Sequence, residues 1–387
     1  MQPVVVSVRG AKRIRNGHLW VYRSDIVSAN EVEAGAIVRV LDPTNNFVGQ
    51  AFYSDTSEIA LRFLTTHDEL IDRTWWAGRL RACAERRGSI ARDTNAYRLV
   101  YSEGDLLPSL IVDKYDDVLV MQTLSQGSDR WKAEIAELLV EQLQPRAIIE
   151  RNDARVRRFE GLEAKSGVMH GEDPGETEIS QNGVRFVVSP VGGQKTGAFL
   201  DQRENYLAAA HNAHGRALDC FTFNGGFALH IAGSCDEVIG IDISEEAIAG
   251  AQRNARLNQA ANIEFRTANV FDALRSFESA NEKFDTIILD PPAFAKNRAA
   301  MKSAVRGYKE INLRALKLLR VNGVLVSCSC SYHMQQEMFL EIVREAALDA
   351  HCRVQLVEVR GQSSDHPVLM GVPETHYLKC VIARVLE

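Results

Sequence analysis

The sequence predicts a multidomain α/β protein with a β-rich N-terminal domain, a central α+β domain and a C-terminal domain built on a parallel sheet. Its 387 residues exceed the usual size of a single hydrophobic core. Short β segments separated by turn residues fill the first part of the chain, whereas strands alternate with helices from about Val184 onward. We therefore expect three domains, at residues 1–68, 69–184 and 185–387.

The N-terminal domain is predicted to be a small barrel or sandwich, because strands at 36–41 and 47–52 flank a turn. A basic strip precedes its first acidic residue, Asp25, and includes Arg9, Arg13 and Arg15. Such a strip can engage RNA phosphates although the net charge of the chain is -6. A solvated charged face is the alternative interpretation.

The central domain mixes helical periodicity with short apolar runs and ends in a polar, breaker-rich stretch. The predicted elements are helices over 70–91 and 132–142, strands over 110–112, 118–121 and 147–149, and a loop over 171–176. This order indicates a small α+β domain.

The C-terminal domain alternates apolar strands with helices. Its predicted strands are 217–221, 238–242, 263–265, 285–290 and 324–327. Continuous apolar runs are typical of parallel strands that are covered by helices on both faces. In such sheets the ligand lies beyond the carboxyl ends of the strands, so we expect the functional residues there.

A glycine turn follows the first of these strands, in the sequence Asp-Cys-Phe-Thr-Phe-Asn-Gly-Gly-Phe at 219–227. Glycines let a ligand approach the backbone, although a tight turn can also use them for its geometry alone. Asp242 ends the next strand, where a carboxylate can bind ribose hydroxyls or merely join the cap at Ser244. The turn lacks the G-x-G-x-x-G spacing of dinucleotide sites, so S-adenosylmethionine is the favoured cofactor.

Polar residues also follow the third strand. The amide of Asn269 could bond the adenine amino group while Val270 lies against the ring. Asp272 is interpreted as a helix cap rather than a ligand.

A rigid loop, Asp-Pro-Pro-Ala-Phe, follows the fourth strand at 290–294. Pro291 and Pro292 fix its backbone, Phe294 supplies an aromatic ring, and Asp290 could bond the edge of a base. The loop is therefore predicted to clamp a planar substrate, with a stiff turn around a buried Phe as the alternative.

Two cysteines, Cys328 and Cys330, end the next strand in the sequence Ser-Cys-Ser-Cys-Ser at 327–331. Alternation along a strand predicts that they share a face, and a thiolate there would be a strong nucleophile. No metal site is expected, because C-x-C lacks a second pair of ligands. The other five of the seven cysteines are interpreted as small buried residues, which suits a reducing compartment.

A thiolate beside a methyl donor points to carbon methylation. Cytosine C5 is a poor nucleophile until a thiolate adds to C6, and methylation of a nitrogen needs no such thiol. A nucleophilic cysteine therefore distinguishes methylation of C5 from methylation of a nitrogen.

Over essentially its whole length, the sequence resembles the PUA-domain ribosomal RNA 5-methylcytosine methyltransferases of the large-subunit methyltransferase I type. The matching segments are Gly-Gly-Gln-Lys-Thr-Gly-Ala-Phe-Leu-Asp-Gln-Arg at 192–203, Asn-Gly-Gly-Phe at 224–227, Asp-Pro-Pro-Ala-Phe at 290–294, Arg-Gly-Tyr-Lys-Glu-Ile-Asn at 306–312, Ser-Cys-Ser at 329–331, Asp-His-Pro at 365–367 and Tyr-Leu-Lys at 377–379. The resemblance implies an N-terminal PUA domain, a central α+β domain and a C-terminal Rossmann-like methyltransferase domain.

The resemblance also implies a cytosine of 23S rRNA as target and Cys330 as nucleophile, with Cys328 dispensable. The candidate catalytic residues are Cys330 and Asp290. The candidate cofactor-binding residues are Phe199, Asp201, Gln202, Phe221, Asn224, Gly225, Asp242, Ile243, Asn269, Val270 and Asp290. The candidate substrate-binding residues are Pro291, Pro292, Phe294, Arg9, Arg13 and Arg15.

The sequence departs from the family pattern at two positions. Asn269 stands where Asp is common, and Leu19 replaces the proline of a His-Pro-Trp turn. We expect a soluble, cytoplasmic protein that acts on 23S rRNA or an assembly intermediate of the large subunit, with no membrane partner and with a homodimer as one possible arrangement. A base N-methyltransferase is the main alternative; a non-enzymatic RNA-binding protein and a small-molecule methyltransferase are the others.

Overall fold

The computed structural model of the protein describes residues 2–192, 197–295 and 297–387. These residues fall into two compact units. The first comprises Met1–Ile179, Val188–Leu200 and Ser364–Thr375, and the second comprises Ser180–Val187, Asp201–Ser363 and His376–Glu387. The division into three domains stays a prediction.

The first unit begins with a mixed six-stranded sheet in the order β2-β6-β5-β4-β1-β3. Its elements are β1 (Pro3–Val6), α1 (Val8–Arg15), β2 (Trp20–Tyr22), β3 (Ile26–Ser28), β4 (Ile37–Leu41), β5 (Phe47–Tyr53) and β6 (Ile59–Thr65). Strands β1 and β4 are parallel, and the sheet packs its inner side chains with Ala11 and Ile14 of α1. The predicted strands at 36–41 and 47–52 correspond to β4 and β5.

Helix α1 is an element that the sequence reading missed, because it expected only short β segments there. The Ser7 side chain caps the helix by accepting a hydrogen bond from Gly10 N. One face of the helix is buried against the sheet, which stabilises a segment of only eight residues.

The first unit continues with a five-stranded sheet in the order β11-β10-β9-β8-β7. Its elements are α2 (Arg73–Arg87), β7 (Ala96–Tyr101), β8 (Leu110–Tyr115), β9 (Val118–Thr123), α3 (Gln126–Leu143), β10 (Ala147–Asn152) and β11 (Lys165–Gly171). Helix α2 is shorter than predicted, whereas α3 starts six residues earlier because Ser125 and Ser128 form a capping box. Trp76 and Leu80 of α2 are buried in the core of this part.

Beyond these sheets, the chain forms the two-stranded sheet β12-β13 and the elements of the second unit. They are β12 (Thr177–Gln181), β13 (Val184–Val188), α4 (Arg203–Asn212), β14 (Arg216–Cys220), α5 (Gly226–Ile231), β15 (Glu237–Asp242), α6 (Glu245–Leu257), β16 (Ile263–Thr267), α7 (Val270–Ser279), β17 (Phe284–Leu289), α8 (Met301–Leu318), β18 (Leu319–Ser329), α9 (Gln336–Asp349), β19 (Val354–Arg360) and β20 (Lys379–Val385).

The second unit is built on a seven-stranded sheet in the order β16-β15-β14-β17-β18-β20-β19. The first five strands in this order are parallel, as predicted. Strand β20 runs antiparallel to both of its neighbours, β18 and β19, so the prediction of a purely parallel sheet was wrong at this edge. Because the parallel strands end at the same edge, the segments after β14, β15, β16, β17 and β18 are brought together there.

Across the described ranges, no helix combines the length and the apolar composition that crossing a membrane requires.

Candidate functional site

The turn after β14 holds its backbone in an unusual conformation. Phe221 and Phe223 have φ values of 65° and 49°, in the left-handed region that side chains with a Cβ rarely adopt. Gly225 follows with φ of 88° and is the N-cap of α5. Strained residues of this kind are concentrated at functional sites, so the turn is a candidate for ligand contact.

The two glycines of this turn are also explained by packing. A Cβ at Gly226 would lie 2.5 Å from the hydroxyl of Tyr206, and one at Gly225 would lie 3.1 Å from the ring of Phe265. The neighbouring Asn224 is half-buried, and its carbonyl oxygen accepts a hydrogen bond from Asn254 Nδ2 at 3.0 Å. The cofactor role of Asn224 and Gly225 therefore stays a prediction.

Asp242 joins the glycine turn to the end of β15. Its Oδ2 accepts a hydrogen bond from Phe223 N at 3.0 Å, and its Oδ1 accepts one from Ser244 N at 2.9 Å. A carboxylate oxygen can accept a second hydrogen bond, so this pairing leaves capacity for ribose hydroxyls. Ser244 caps α6 as predicted, and Ile243 between them is exposed.

Asn269 occupies the N-cap of α7. Its Oδ1 accepts hydrogen bonds from Phe271 N at 2.9 Å and Asp272 N at 3.4 Å. The reading of Asp272 as the cap was wrong: Asp272 lies in the first turn and pairs with Arg275. The Nδ2 group of Asn269 can still donate to a ligand, whereas Val270 is buried in the core of the second unit.

A carboxyl group that the sequence reading did not single out lies beneath the glycine turn. Asp219 is fully buried, and its Oδ2 accepts hydrogen bonds from Thr222 Oγ1 at 2.6 Å and Ala228 N at 3.0 Å. Its Oδ1 has no partner among the described residues. Burial raises the pKa of Asp219 to about 7, which the two hydrogen bonds only partly oppose. The only signal in the sequence was its place at the start of the 219–227 motif.

The loop after β17 is joined to the segment before α4. Asp290 Oδ1 accepts a hydrogen bond from Gln202 Nε2 at 2.9 Å. Asp201 Oδ2 accepts one from the hydroxyl of Tyr377 at 2.5 Å. Both residues before α4 are buried, so two of the predicted cofactor positions are held rigidly, and one of them contacts Asp290 directly.

Part of the predicted motif at 192–203 is not described. Residues 193–196 lie outside the described ranges. Phe199 is half-buried in the segment Val188–Leu200 of the first unit, whereas the other predicted cofactor residues belong to the second. Its role stays a prediction.

Cys330 lies directly after β18 and is half-buried. Its Sγ lies 3.8 Å from the carbonyl oxygen of Pro291. Next to it, Ser331 Oγ accepts a hydrogen bond from Ala295 N at 3.2 Å. The thiol of Cys330 and the proline loop are therefore adjacent, although they are about 40 residues apart in the sequence.

Tyr308 of α8 fixes the residues on both sides of the thiol. Its hydroxyl bonds Ser329 Oγ at 3.0 Å and Ser331 Oγ at 3.0 Å. Burial raises the pKa of Tyr308, so the hydroxyl stays neutral and can both donate and accept. The sequence reading assigned Tyr308 no role, although it lies in the Arg-Gly-Tyr segment of the resemblance.

Phe294 packs in an aromatic group at the edge of the core. Its ring centroid lies 4.7 Å from that of Tyr308 and 6.1 Å from that of Phe271. Pro291 is buried and Pro292 is exposed. This packing holds the loop in place and leaves its contact with a base as a prediction.

Cys328 differs from Cys330 although only one residue separates them. It is fully buried, and it lies opposite Cys380 across the antiparallel pair of β18 and β20. Burial raises the pKa of the Cys328 thiol well above its ordinary value. A thiol in this state is a poor nucleophile.

The basic strip of α1 has acidic partners that its local sequence does not contain. Arg9 Nε lies 2.7 Å from Asp25 Oδ1, and Arg15 Nη2 lies 2.7 Å from Asp42 Oδ2. The guanidinium of Arg13 lies 4.6 Å from the centroid of the Tyr22 ring. The strip is therefore less positive than the sequence reading assumed.

Within the part of the chain that the structure describes, no group of three or more His, Cys, Asp and Glu side chains could hold a metal ion.

Two family models match the chain. One, described as a PUA-like domain, matches residues 4–66, and the other, described as a methyltransferase domain, matches residues 211–369. The first match covers the six-stranded sheet, and the second covers most of the seven-stranded sheet with its strand-end site.

Full-length relatives share one description. A protein of Tolumonas auensis named "Ribosomal RNA large subunit methyltransferase I" is 40% identical over 386 residues, which is 97% of each chain. A protein of Aeromonas salmonicida with the same name is 38% identical over 395 residues, which is 99% of this chain and all of that one.

Solved structures share the fold. A protein of Streptococcus mutans assigned as a SAM-dependent methyltransferase has a TM-score of 0.85 at 20% identity, and each chain is covered in full. A methyltransferase structure complexed with SAH gives the same TM-score, identity and coverage.

Proposed function

Because the chain belongs to the family of ribosomal RNA large subunit methyltransferase I, we propose that it methylates C5 of a cytosine in 23S rRNA through a covalent bond between Cys330 and C6. The methyl donor is S-adenosylmethionine. The observation that carries the proposal is the 3.8 Å separation between Cys330 Sγ and Pro291 O, which puts a half-buried thiol beside the Asp-Pro-Pro loop.

The donor side of the site is assigned to the ends of β14, β15 and β16. The Asp242 carboxylate, with acceptor capacity left on both oxygens, suits the ribose hydroxyls. The amide nitrogen of Asn269, for which the described residues supply no acceptor, suits an adenine ring nitrogen, since the amide oxygen already caps α7. When bound, S-adenosylmethionine would supply an electrophilic methyl group carried on a sulfonium. The further residues assigned to this side are Phe199, Asp201, Gln202, Phe221, Asn224, Gly225, Ile243 and Val270.

The acceptor side consists of the loop after β17 and the thiol after β18. Asp290 is oriented by Gln202 and can accept a hydrogen bond from the exocyclic amine of cytosine. Pro291, Pro292 and Phe294 form a stiff wall for the ring. Tyr308 holds the serines on both sides of Cys330, which fixes the direction of the thiol.

The residues then act in a defined order. The Cys330 thiolate adds to C6, and the electron pair of the C5–C6 double bond moves so that C5 becomes nucleophilic. After C5 has gained the methyl group, loss of its proton restores the double bond and expels the thiolate. Each of these three steps is easier than direct methylation of C5.

The PUA-like part is proposed to dock the rRNA or a large-subunit assembly intermediate. Its α1 carries Arg13 and the exposed Lys12, whose side chains have no carboxylate within salt-bridge distance in the described residues. Contacts of such side chains with phosphates position the RNA without reading its sequence. Arg9 and Arg15 are assigned a smaller share because Asp25 and Asp42 already pair with them.

The proposal is tested with rRNA fragments that contain 5-fluorocytosine. Fluorine at C5 cannot leave as a proton would, so the wild-type protein should form a covalent adduct that survives a denaturing gel. Cys330→Ala should form none, and Cys328→Ala, which removes the neighbouring buried thiol, is the matched control that should still form it.

Methylation of ordinary rRNA separates the alternatives. Cys330→Ala should lose methyl transfer while still binding S-adenosylmethionine. Transfer that survives in this variant would overturn the C5 mechanism in favour of a base N-methyltransferase. Failure of the wild-type protein to bind the cofactor in calorimetry would leave a non-enzymatic RNA-binding protein.

A further inference from the structure

Lys379 is a buried cation beside the proposed nucleophile. It is the first residue of β20, and its side chain is 2% exposed. Its Nζ donates to the carbonyl oxygens of Ser331 at 2.8 Å and Tyr377 at 2.7 Å. Ser331 is the residue directly after Cys330, so the ammonium is attached to the same short segment as the thiol.

The register of the sheet explains why Lys379 reaches this segment. Lys379 lies opposite Ser329 in the antiparallel pair of β20 and β18. Ser329 immediately precedes Cys330, so the register brings the main chain of Lys379 to the thiol segment. Strand β18 ends at Ser329, and the Lys379 ammonium reaches past this end to the carbonyl oxygen of Ser331.

The two acceptors of Lys379 are uncharged. A buried ammonium is costly unless an anion pairs with it, because two carbonyl dipoles replace only part of its hydration. Burial accordingly lowers the pKa of Lys379 to about 8, and the charge of the Cys330 thiolate acts in the opposite direction. Among the residues that the structure describes, two of the three N–H groups have an acceptor, which leaves one for an anion.

We propose that Lys379 is a positioning residue whose ammonium stabilises the thiolate form of Cys330. This inference rests on the proposed function, because it concerns the nucleophile of that reaction. When the S–H bond breaks, the electron pair stays on Sγ and the proton passes to solvent, and the ammonium remains as counter-ion. The thiolate then adds to C6 of the cytosine.

Other titratable groups face the pair from the surrounding elements. His376 precedes β20, and its pKa is lowered by burial and then by the charge of Lys379, so it stays neutral at pH 7. Tyr308 of α8 faces Cys330 and also stays neutral, because burial raises its pKa. Glu337 of α9 acts on His376. Of these groups, Lys379 is the one that carries a positive charge at neutral pH, and the charge of the Cys330 thiolate acts on it directly.

The test measures the titration of the Cys330 thiol in the full-length protein. The rate of alkylation by iodoacetamide is followed from pH 5.5 to 10, and the Cys330 peptide is quantified by mass spectrometry. The wild-type midpoint should lie below 8, under the ordinary thiol value of about 8.5. The ammonium is present below its pKa of about 8, so the stabilisation acts at neutral pH and is lost as the pH rises further.

Lys379→Met should raise the midpoint by at least about one pH unit, which slows alkylation at pH 7 roughly tenfold. Lys379→Arg keeps the charge and should keep a midpoint below the ordinary value. Lys283→Met is the matched control, since Lys283 Nζ also donates to a main-chain carbonyl, that of Lys317 at 2.6 Å, but is exposed. This variant should titrate like the wild type.

An unchanged midpoint in Lys379→Met, or a wild-type midpoint at or above 8.5, overturns the inference. The wild-type result decides the matter even if Lys379→Met does not fold. Because alkylation needs neither RNA nor cofactor, its outcome is independent of the methylation assay with Cys330→Ala. A low midpoint together with an active Cys330→Ala variant would reject the proposed function and leave the ion pair standing.

Discussion

Charged groups of the α1 surface and of the strand-end site respond to the protein in opposite ways. At α1 the carboxylates are stabilised: burial would raise the pKa of Asp25, but hydrogen bonds from Arg9 and Ser7 outweigh it and lower the pKa. The hydrogen bond from Arg15 lowers the pKa of Asp42 in the same way. At the strand ends, burial raises the pKa of Asp219 and lowers that of Lys379, so burial disfavours the charged form of both groups relative to water.

The contrast is between a surface where carboxylates are paired with arginines and a site where charged groups are hydrogen-bonded by uncharged ones. Arg9 and Arg15 of α1 have carboxylate partners, so their charges are already partly neutralised. The strand-end groups are held by main-chain amides, carbonyls and hydroxyls, which position a charge without neutralising it. Perturbed groups of this kind are concentrated where a protein performs chemistry.

The largest expected effect concerns the buried carboxyl of Asp219. Its folded pKa of about 7 exceeds the unfolded value, so the folded state binds the proton more tightly and stability falls as the pH rises towards 7. Asp219→Asn removes this loss, because an amide can accept from Thr222 and Ala228 through its oxygen. The free energy of unfolding of the variant, measured with urea, should rise relative to that of the wild type by roughly 3 kcal/mol between pH 5 and pH 8.

The comparison would be weakened if Asp219→Asn and the wild type showed the same pH dependence. In contrast, the pKa of Asp25 at α1 is lowered, so its carboxylate stabilises the folded state once the pH exceeds the unfolded value of 3.8. Asp25→Asn should therefore lose stability relative to the wild type as the pH rises to about 5, and this difference should stay constant from about pH 5 to pH 8. The two variants test opposite signs in successive pH ranges.

Asp290 should matter more for turnover than for stability. Asp290→Ala removes a carboxylate at the carboxyl end of β17 and should lower kcat/KM by about 100-fold or more. Asp285 lies near the other end of the same strand, where it pairs with Arg320. Asp285→Ala is the control and should leave kcat/KM within about threefold of the wild type; equal losses in both variants would contradict a catalytic role.

Tyr308→Phe should have a smaller effect on the same reaction. The variant loses the hydroxyl that bonds Ser329 and Ser331, so the thiol segment is held less firmly. We expect kcat to fall about tenfold with unchanged affinity for S-adenosylmethionine in calorimetry. A loss of cofactor affinity with normal kcat would show that Tyr308 acts on the other half of the site.

The smallest effect is expected at α1. Arg13→Gln should weaken binding to an rRNA fragment a few-fold and reduce the slope of log affinity against log salt by about one unit, measured by fluorescence anisotropy. The charge-neutral double variant Arg15→Gln, Asp42→Asn removes an ion pair and should leave the slope unchanged. An unchanged slope in Arg13→Gln would make the strip a solvated surface.

Local sequence accounts for much of the second unit. Apolar runs, Ser244 and the motifs at strand ends predicted the parallel strands, the cap of α6 and the places where a site could form. The strand and cap predictions are confirmed because apolar runs and capping residues are local signals. The place of the site stays a prediction, which rests on parallel strands ending at one edge. Strand β20, which pairs antiparallel with β18 and β19, was missed because antiparallel pairing leaves no signal in an apolar run.

A glycine turn, a carboxylate, a proline loop and a thiol follow successive strands of the C-terminal domain, and residue types with periodicity were enough to predict this order. The folded chain adds what no local pattern contains: that Cys328 is buried, that Tyr308 and Lys379 contact residues flanking Cys330, and that Asp25 and Asp42 pair with Arg9 and Arg15. Burial and charge pairing depend on neighbours from distant segments, whereas propensity and periodicity are local properties.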